Sequence, residues 1–502
     1  FSLWEQKEPY PRSVRDALSV LLTGGQLLQS FSNHDDGLAF GDMVVAGQAN
    51  GTLRQKLAAK AATAGHLAMA DVDGDGDLDL FIGARSLPGN YPKPVDSWIY
   101  LNEEGVWKES PAWSAALQDI GLVTGAVFLN IDAHPLPDLL LACDWGTPKI
   151  LVNTGTGFID RTNQYGLAKF TGFWRGIDAG DFNGDGRMDF VAANRGLNAG
   201  YNASAEKPFV VYHGDLDGDG RREIIETERE DGLIYPRRNL STLNSAMPWL
   251  AEHLLNYDHY AQFTVEAFSE AARLTKAVRS GITTLQSMVF LRTDGGFEPI
   301  PLPVEAQLTA AFCPAVADFD NDGAEDIALS QNVFGVHQEE SRQDAGFGLL
   351  LLGQGDGTFK TTTIGVSGLT VFGEGRAAAT ADFNHDGRTD LIICQNGAKP
   401  KLFLNQAKRR GLRVQLQGGK GNREGVGAQI RLELKGKSGP SRTVRVGSGF
   451  LSQNSTTQIL GAAENATALL VAWPNGKGER YKLAPNQSAI TAVSGQGEPL
   501  VN

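Results

Sequence analysis

The sequence has few cysteines and no long apolar run, and each absence excludes a class of protein. Only three of the 502 residues are cysteine, so at most one disulfide could form and a disulfide-stapled scaffold is excluded. Cys143, Cys313 and Cys394 each lie in an apolar, strand-like run, which predicts buried free thiols. No apolar stretch approaches the roughly 18 residues that a membrane-spanning helix needs. We therefore predict no transmembrane segment.

The sequence also lacks the familiar catalytic motifs. No nucleophile elbow of the G-x-S-x-G type is present, because Gly447-Ser448-Gly449 is too short to form one. The eight histidines are scattered, and His253 and His259 are six residues apart rather than the four that place two zinc ligands on one helix face. We identify no catalytic residue and no organic cofactor, although loops far apart in the sequence could still meet to form an active site.

Acidic, glycine-centred loops of nine residues are what the sequence has in abundance. The first, Asp71–Asp79, carries side-chain oxygens at positions 1, 3, 5 and 9 around a glycine at position 6, and four variants repeat this spacing. Our candidate metal ligands are positions 1, 3, 5, 7 and 9 of the five loops: Asp71, Asp73, Asp75, Asp77 and Asp79; Asp181, Asn183, Asp185, Arg187 and Asp189; Asp215, Asp217, Asp219, Arg221 and Glu223; Asp318, Asp320, Asp322, Ala324 and Asp326; Asp382, Asn384, Asp386, Arg388 and Asp390.

This spacing indicates calcium. Ca²⁺ takes about six to eight oxygen ligands, and alternate side chains on a tightly turning backbone can converge on one ion. Glycine at position 6 reaches a positive φ at little cost. Position 7 varies from Asp77 to Arg187 and Ala324, which we explain by a ligand that is the backbone carbonyl alone. We predict about five Ca²⁺ sites.

Two other interpretations of the loops are an EF-hand and an acidic turn without metal. An EF-hand needs a glutamate at position 12, and four of the five loops have Ile82, Ala192, Leu329 or Ile393 there. Metal-free acidic turns are the second alternative, but carboxylates packed this closely would repel one another without a cation. Five bound Ca²⁺ would also offset most of the formal net charge of −13. A negative net charge argues against a nucleic-acid partner.

The loops belong to a longer repeat. An apolar strand follows each loop, and degenerate copies at Asn130–Asp138 and Asp36–Asp42 bring the count to seven. A second apolar strand, a glycine-rich turn and an aromatic residue recur between loops, as in Trp98–Trp107, Lys149–Phe158, Met288–Phe297 and Leu349–Phe359. Units of about four short strands predict an all-β fold, a seven-bladed β-propeller spanning residues 31–406 after an N-terminal segment, 1–30.

These units resemble the FG-GAP (VCBS) repeats of integrin α-chain propellers and of many bacterial surface proteins. After a polar linker, residues 411–493 read as a separate β-sandwich or barrel, followed by a tail, 494–502. Its motifs Gly425-Val-Gly-Ala-Gln-Ile430, Val446-Gly-Ser-Gly-Phe-Leu-Ser-Gln453 and Val471-Ala-Trp-Pro-Asn-Gly476 resemble the ASPIC/UnbV domain. The pair of resemblances implies the architecture of the cartilage acidic protein-like bacterial family.

One spacing is anomalous, the 103 residues from Asp215 to Asp318. Its excess, residues 237–290, shows helical periodicity in Pro248–Leu255 and Phe263–Lys276, with Trp249, Leu254, Leu255, Phe263, Phe268 and Leu274 on the packed face. We predict a small helical insertion. It is either a cap over one end of the propeller or a lid or docking surface.

We expect an exported protein, extracellular, at the cell surface or periplasmic, because calcium sites of extracellular modules would stay largely empty in cytosol. The chain begins with Phe1 rather than Met, so we expect a removed leader or a fragment. The leading hypothesis is a non-catalytic binding or scaffold module for a protein partner or a surface glycan. The alternatives are a polysaccharide lyase or hydrolase, and an accessory subunit of a larger exported complex.

Overall fold

The fold is all-β, as predicted, in the part of the chain that the computed structural model describes. That part comprises residues 17–23, 26–31, 44–48, 53–58, 60–132, 134–216, 218, 220, 222–252, 254, 256–265 and 277–500. Four short α-helices accompany the strands there: α1 (Pro111–Ser114), α2 (Leu240–Ala246), α3 (Tyr257–Ala261) and α4 (Ile364–Ser367). The longest has seven residues, and no described helix is long and apolar enough to cross a membrane.

Six sheets follow one another along residues 17–403. The first contains β1 (Ala17–Thr23), β2 (Gln26–Phe31), β3 (Val44–Gln48) and β4 (Leu53–Lys56); the second contains β5 (Thr63–Ala70), β6 (Asp79–Ser86), β7 (Trp98–Glu103) and β8 (Val106–Glu109). The third contains β9 (Leu122–Leu129), β10 (Asp138–Gly146), β11 (Lys149–Asn153), β12 (Phe158–Asp160) and β13 (Gly172–Phe173). The hairpins that we predicted from Trp98 and from Lys149 are therefore confirmed.

The fourth sheet is interrupted by another. Its strands are β14 (Gly176–Gly180), β15 (Asp189–Ala193), β20 (Met288–Thr293) and β21 (Gly296–Pro301); the inserted sheet contains β16 (Phe209–Gly214), β17 (Glu223–Glu230), β18 (Leu233–Pro236) and β19 (Val278–Ile282). The fifth contains β22 (Ala311–Ala317), β23 (Asp326–Gln331), β24 (Leu349–Gly353) and β25 (Phe359–Thr361), and the sixth β26 (Glu374–Ala381), β27 (Asp390–Asn396) and β28 (Ala398–Phe403).

Seven sheets are thus described before the linker, but the seven-blade count is not confirmed, because the sheet of the Asp215 loop lies inside the fourth. Strand β15 pairs with β20 across that insertion, and the ring of Phe190 stacks on Phe290 with centroids 4.6 Å apart. The hairpin Met288–Phe297 therefore closes the unit of the Asp181 loop and not that of the Asp215 loop, which is nearer to it in the sequence. Pairing over this distance leaves no local trace in the sequence.

The insertion is larger than the helical span 237–290 that we predicted, since it also contains the four strands β16–β19. Helices α2 and α3 lie in the predicted span, and Leu254 is buried in their apolar cluster with Trp249 and Phe263 packed against it. Leu255, Phe268 and Leu274 lie outside the described residues. Strand β1 and most of β2 fall within residues 1–30, so the first sheet begins earlier than we placed it.

The C-terminal domain, residues 411–500, consists of two sheets around one core. The strands are β29 (Leu412–Gln417), β30 (Gln429–Leu434), β31 (Lys437–Ser438), β32 (Arg442–Thr443), β33 (Gln458–Leu460), β34 (Ala466–Ala472), β35 (Gly478–Lys482), β36 (Ala489–Val493) and β37 (Glu498–Pro499). Val414 of the smaller sheet shares a buried cluster with Ile430 and Val471 of the larger one. The last strand pairs with β35, so part of the predicted tail belongs to this domain.

The six sheets pack side by side through their inner strands, and a piece of the C-terminal domain lies where those strands converge. We call Val446–Gln453 the channel segment. Its backbone hydrogen-bonds to Met69 of β5 and to Ile177 of β14, and the amide of Phe450 contacts the sulfur of Cys313 on β22. The Gly447-Ser448-Gly449 motif therefore packs against the inner strands at the centre of the propeller-like arrangement.

Glycine is required in the channel segment because backbones meet there without space for a side chain. Gly449 has φ +58°, and a Cβ on it would lie 2.2 Å from the sulfur of Cys313. A Cβ on Gly125 of β9 would lie 2.7 Å from the carbonyl oxygen of Gly449. All three thiols are free: Cys143 and Cys313 are buried as predicted, whereas Cys394 is partly buried.

The replacement Gly449→Ala tests the fit of the channel segment. We expect a loss of about 2 to 4 kcal/mol in the free energy of unfolding, measured in urea, because a positive φ and a backbone clash act together. Gly476→Ala is the matched control, since Gly476 has φ +78° and nothing within 4 Å of an added Cβ. It should cost only about 1 kcal/mol. Equal losses in both variants would refute the role assigned to Gly449.

Candidate metal sites

Every predicted loop joins two adjacent strands of its sheet, and position 9 is the first residue of the second strand. Asp79 begins β6, Asp189 begins β15 and Asp326 begins β23. The glycine at position 6 has a positive φ in all five loops, between +78° at Gly387 and +98° at Gly323. Position 4 also has a positive φ, which explains why Asn321 and His385 alternate there with glycine.

The carboxylate at position 1 organises the turn. Both oxygens of Asp71 accept backbone hydrogen bonds, from Gly74 at 2.8 Å and Gly76 at 3.0 Å. The same pattern recurs at Asp181, Asp318 and Asp382, whose oxygens accept from the amides at positions 5 and 6. The turn is therefore held in shape by the protein's own hydrogen bonds to position 1.

The carboxylate at position 9 clamps the loop to two other parts of its sheet. In Asp189, Oδ2 accepts the amide of Phe182 at 2.9 Å and Oδ1 accepts the amide of Arg292 at 2.6 Å. Asp79, Asp326 and Asp390 each accept two backbone amides in the same way. We call this arrangement the double clamp. It joins position 2 of the loop to the end of the third strand of the sheet or, for Asp390, to Asn405 just after that strand.

The double clamp does not depend on a complete metal loop. In the degenerate copy of the third sheet, Asp138 accepts the amides of Ile131 and Asn153, each at 2.8 Å. Asn130 stands at position 1 of that copy, where the complete loops have aspartate. Its amide group instead donates to the backbone carbonyls of His134 and Pro135. The clamp is therefore an element of the fold, separable from the acidic positions 1, 3 and 5.

Two of the loops bring three carboxylates within range of one ion. Oxygens of Asp71, Asp73 and Asp79 lie within 4.8 Å of one another, and so do oxygens of Asp318, Asp320 and Asp326. The loops at 181–189 and 382–390 have asparagine at position 3, which would offer an amide oxygen in place of the third carboxylate. In the inserted sheet Asp217, Asp219 and Arg221 lie outside the described residues.

The electrostatics of both carboxylate clusters favour a cation. Burial raises the pKa of Asp71 to about 6 and that of Asp79 to about 8, and repulsion between neighbouring aspartates acts in the same direction. Burial likewise raises the pKa of Asp318 to about 7 and holds that of Asp326 well above its ordinary value. These all-oxygen, negatively charged groups fit a hard cation.

Arginines at position 7 supply a partial counter-charge in two loops. The guanidinium of Arg187 contacts Oδ2 of Asp185 at 2.8 Å, and that of Arg388 contacts Oδ2 of Asp386 at 2.7 Å. Because each arginine pairs with position 5, the acids at positions 1 and 9 and the asparagine at position 3 remain to hold an ion. We predicted that position 7 contributes its backbone alone, which stays a prediction.

The structure also shows charged residues that our sequence analysis missed. Arg442 of the C-terminal domain makes a buried, bidentate contact with Glu325, at 2.7 and 2.8 Å. Arg445 donates to the buried Asp178 of β14 at 2.7 Å, and Asn454 donates to its other oxygen. One signal was available for Asp178, because an aspartate inside an apolar strand needs a partner.

The replacement Asp189→Ala separates the clamp from metal binding. It would leave the amides of Phe182 and Arg292 without an acceptor, so we expect a loss of about 2 to 4 kcal/mol in the free energy of unfolding, with or without a chelator. Asp185→Ala, at the exposed position 5, should stay within about 0.5 kcal/mol of the parent in chelator. A clamp variant as stable as the parent in chelator would contradict this role.

Comparisons with solved structures give remote likenesses only. They include an exotype rhamnogalacturonan lyase, YesX, with 12% identity over 96% of this chain and 73% of that chain and a TM-score of 0.31. Rhamnogalacturonan lyase PL11 from Bacillus licheniformis has 10% identity over 95% and 91%, with a TM-score of 0.28. An exo-beta-1,3-galactanase from Phanerochaete chrysosporium has 8% identity over 96% and 92%, with a TM-score of 0.29. Likenesses this weak carry no argument about activity.

Two family models match parts of the chain, while the curated proteins give no significant match. The model of an FG-GAP-like repeat matches residues 130–192, which contain β10 to β13 of the third sheet and the first two strands of the fourth. The model named ASPIC and UnbV matches residues 418–499, most of the C-terminal domain. Both matches confirm the predicted architecture: this chain combines FG-GAP-like repeats with a C-terminal ASPIC and UnbV domain.

Proposed function

We propose that the protein is an exported, calcium-stabilised β-propeller that acts as a non-catalytic binding or scaffold module. The observation that carries this proposal is the filled centre of the molecule. The channel segment occupies the place where the inner strands converge, and its backbone is in contact with β5, β14 and β22. The channel segment thereby fills the central space in which a propeller could otherwise hold a small substrate.

Calcium is the cation that we propose for the acidic loops. The ligand set is all oxygen, and the turn offers carboxylates together with backbone carbonyls, which suits the large and flexible coordination of Ca²⁺ better than the strict octahedron of Mg²⁺. Asp71, Asp73 and Asp79 would hold one ion, and Asp318, Asp320 and Asp326 another. A bound ion would supply the positive charge that these buried carboxylates lack.

Export follows from calcium availability. Extracellular modules of this kind bind Ca²⁺ with dissociation constants on the order of 10⁻⁴ to 10⁻³ M, far above free cytosolic calcium. A protein whose fold relies on such sites is stable only where calcium is abundant. We therefore place the protein outside the cytosol, at the surface, in the periplasm or in the medium, free or as an accessory subunit of a larger complex.

A cleft beside the Asp181 loop is the surface that we propose for a partner. It has a volume of about 480 Å³ and lies between the degenerate loop of the third sheet and the C-terminal domain. Asp132, His134 and Arg187 line it on one side, and Trp473 and Pro474 of the ASPIC/UnbV motif on the other. Mixed charges beside apolar rings suit a polar surface glycan or a protein loop.

Calcium titration tests the structural role of the ion. Millimolar Ca²⁺ should raise the melting temperature by about 5 to 10 °C over excess chelator, because each occupied site adds about 1 to 3 kcal/mol by mass action. Equal Mg²⁺ should give a smaller rise. Asp320→Asn should reduce the calcium effect, whereas Asp344→Asn, the same change at an exposed acid outside the loops, should not. A melting temperature indifferent to calcium would refute the proposal.

Binding and catalysis can be separated in a second experiment. The purified chain, with Ca²⁺ present, should release neither unsaturated products nor reducing ends from acidic polysaccharides, because its centre is filled. It should bind a glycan of a surface array or co-purify with a defined partner from untreated cells, and the double variant Asp132→Ala, His134→Ala should bind at least about ten times more weakly. Product formation at enzymatic rates would favour the polysaccharide lyase or hydrolase instead.

A further inference from the structure

Three of the acidic loops are hydrogen-bonded by the C-terminal domain, and a fourth, at 71–79, lies against Gly421 of that domain. The amide of Ser441 donates to Oδ2 of Asp181 at 2.9 Å. The amide of Ala462 donates to the carbonyl of Asn321 at 3.2 Å, and the amide of Gly411 donates to the carbonyl of Gly387 at 2.8 Å. The domain therefore rests on the tips of the loops at 181–189, 318–326 and 382–390.

This contact buries the position-1 carboxylates of those three loops. Asp181 is 1% exposed, Asp318 is 2% exposed and Asp382 is 7% exposed. In the inserted sheet, where no described contact with the C-terminal domain is made, the equivalent Asp215 is exposed. Asp71, whose loop contacts the domain near Asp77, is half-buried, so burial of position 1 is greatest in the three loops that the domain hydrogen-bonds.

The C-terminal domain and the loops are in such close contact that two glycines of the domain have no space for a side chain. A Cβ on Gly461 would lie 1.9 Å from Oδ2 of Asp318, and a Cβ on Gly421 would lie 1.8 Å from Oδ1 of Asp77. Both glycines belong to the C-terminal domain. It can therefore dock only on loops that hold their aspartates in the position seen here.

Covering these loops without a cation would be costly. Residues 318–326 contain five acids, and the C-terminal domain brings one described guanidinium to them, that of Arg442, which pairs with Glu325. Asp318 and Asp326 are buried beside the half-buried Asp320, and the positive charges of Arg442 and Arg409 offset only part of the cost of burying these carboxylates. Burying unpaired charge is strongly unfavourable, and a divalent ion removes that penalty.

We propose that the C-terminal domain is a calcium-dependent cover, docked on the acidic loops when they hold metal and released when they do not. This inference rests on the calcium binding proposed above. Coupling is reciprocal, so docking must also raise the metal affinity of the covered loops. The Asp215 loop, which is uncovered, takes no part.

Release of the cover would also free the centre of the propeller. Arg442 and Ser441, which contact the loops, precede the channel segment by only a few residues. Withdrawal of the domain therefore removes Gly449 and Phe450 from the sulfur of Cys313, whose nearest contact in the segment is the amide of Phe450 at 3.2 Å. The thiol of Cys313 becomes a reporter of docking, and calcium controls access to the channel.

Pulsed alkylation of the full-length protein tests this coupling. Iodoacetamide at pH 8 would be applied in Ca²⁺ and in excess chelator, and each cysteine quantified by peptide mass spectrometry. Cys313 should be labelled at least about ten times faster in chelator. Cys143 is buried between the second and third sheets and is the internal control for unfolding, so its labelling should not change.

The outcomes discriminate between this inference and the proposed function. Calorimetry in the same buffers first establishes whether Ca²⁺ binds; if it does not, both fail together. Calcium binding with unchanged labelling of Cys313 would refute the coupling alone. Faster labelling of Cys143 and Cys313 to the same extent would also refute it, because the ion would then stabilise the whole fold rather than the docked cover.

Matched variants locate the effect. Asp318→Asn, in a covered loop, should speed the labelling of Cys313 in Ca²⁺, whereas Asp215→Asn, in the uncovered loop, should not. Gly461→Ala changes no metal ligand but blocks docking, so it should both speed labelling and weaken calcium binding to the covered loops about tenfold. Gly419→Ala is its control, because nothing lies within 4 Å of a Cβ there. Gly461→Ala with unaltered labelling would overturn the proposal.

Discussion

The double clamp is the interaction on which the repeated units depend. A carboxylate at the start of the second strand accepts one amide from the loop before it and one from the end of the third strand, as Asp79 does with Val72 and Asn102. One buried side chain thus fixes three segments of a sheet relative to one another. Its oxygens accept N–H donors, which offset part of the cost of burying the charge, although burial still raises the pKa of Asp79 to about 8.

The remaining acids of each loop are buried at an electrostatic cost. Position 1 shapes the turn by accepting two amides, yet its charge is only partly compensated, and burial raises the pKa of Asp71 and Asp318. The C-terminal domain adds to this burial instead of relieving it. Two buried carboxylates have an ion-pair partner in that domain: Glu325 pairs with Arg442 and Asp178 pairs with Arg445. Positions 1, 3 and 9 of the loops at 71–79 and 318–326 form the carboxylate clusters that could hold a metal ion, whereas Asp382 has Arg413 within 3.6 Å.

Much of the fold could be predicted from the sequence because its signals are local. The loop spacing located the strands that begin at Asp79, Asp189 and Asp326, and apolar runs before aromatic residues located the outer hairpins. What could not be predicted depends on long-range pairing. Nothing near Met288 indicates that its strand pairs with β15 rather than with the inserted sheet, which is why the blade count of seven failed to be confirmed.

The site shows the same division. The nine-residue pattern identified the acids that cluster around Asp71 and Asp318, because metal ligation imposes a strict spacing on neighbouring residues. The pattern is silent on which loops are covered, since Asp181 and Asp215 occupy equivalent positions with opposite exposure. The glycines of the channel segment were recognised as a family motif, but their physical purpose, close approach of two backbones at Gly449, needs residues more than a hundred positions away.

The channel segment has a consequence for how the protein is made. The strands that surround it are all synthesised before residue 446 leaves the ribosome. The packing at the axis of the sheets is therefore completed only when the channel segment has been synthesised. The boundary between repeats and C-terminal domain is thus a boundary of sequence families that the packing at the axis crosses. A truncation at the linker would leave Gly125 and Gly176, which pack against Gly449, without that neighbour.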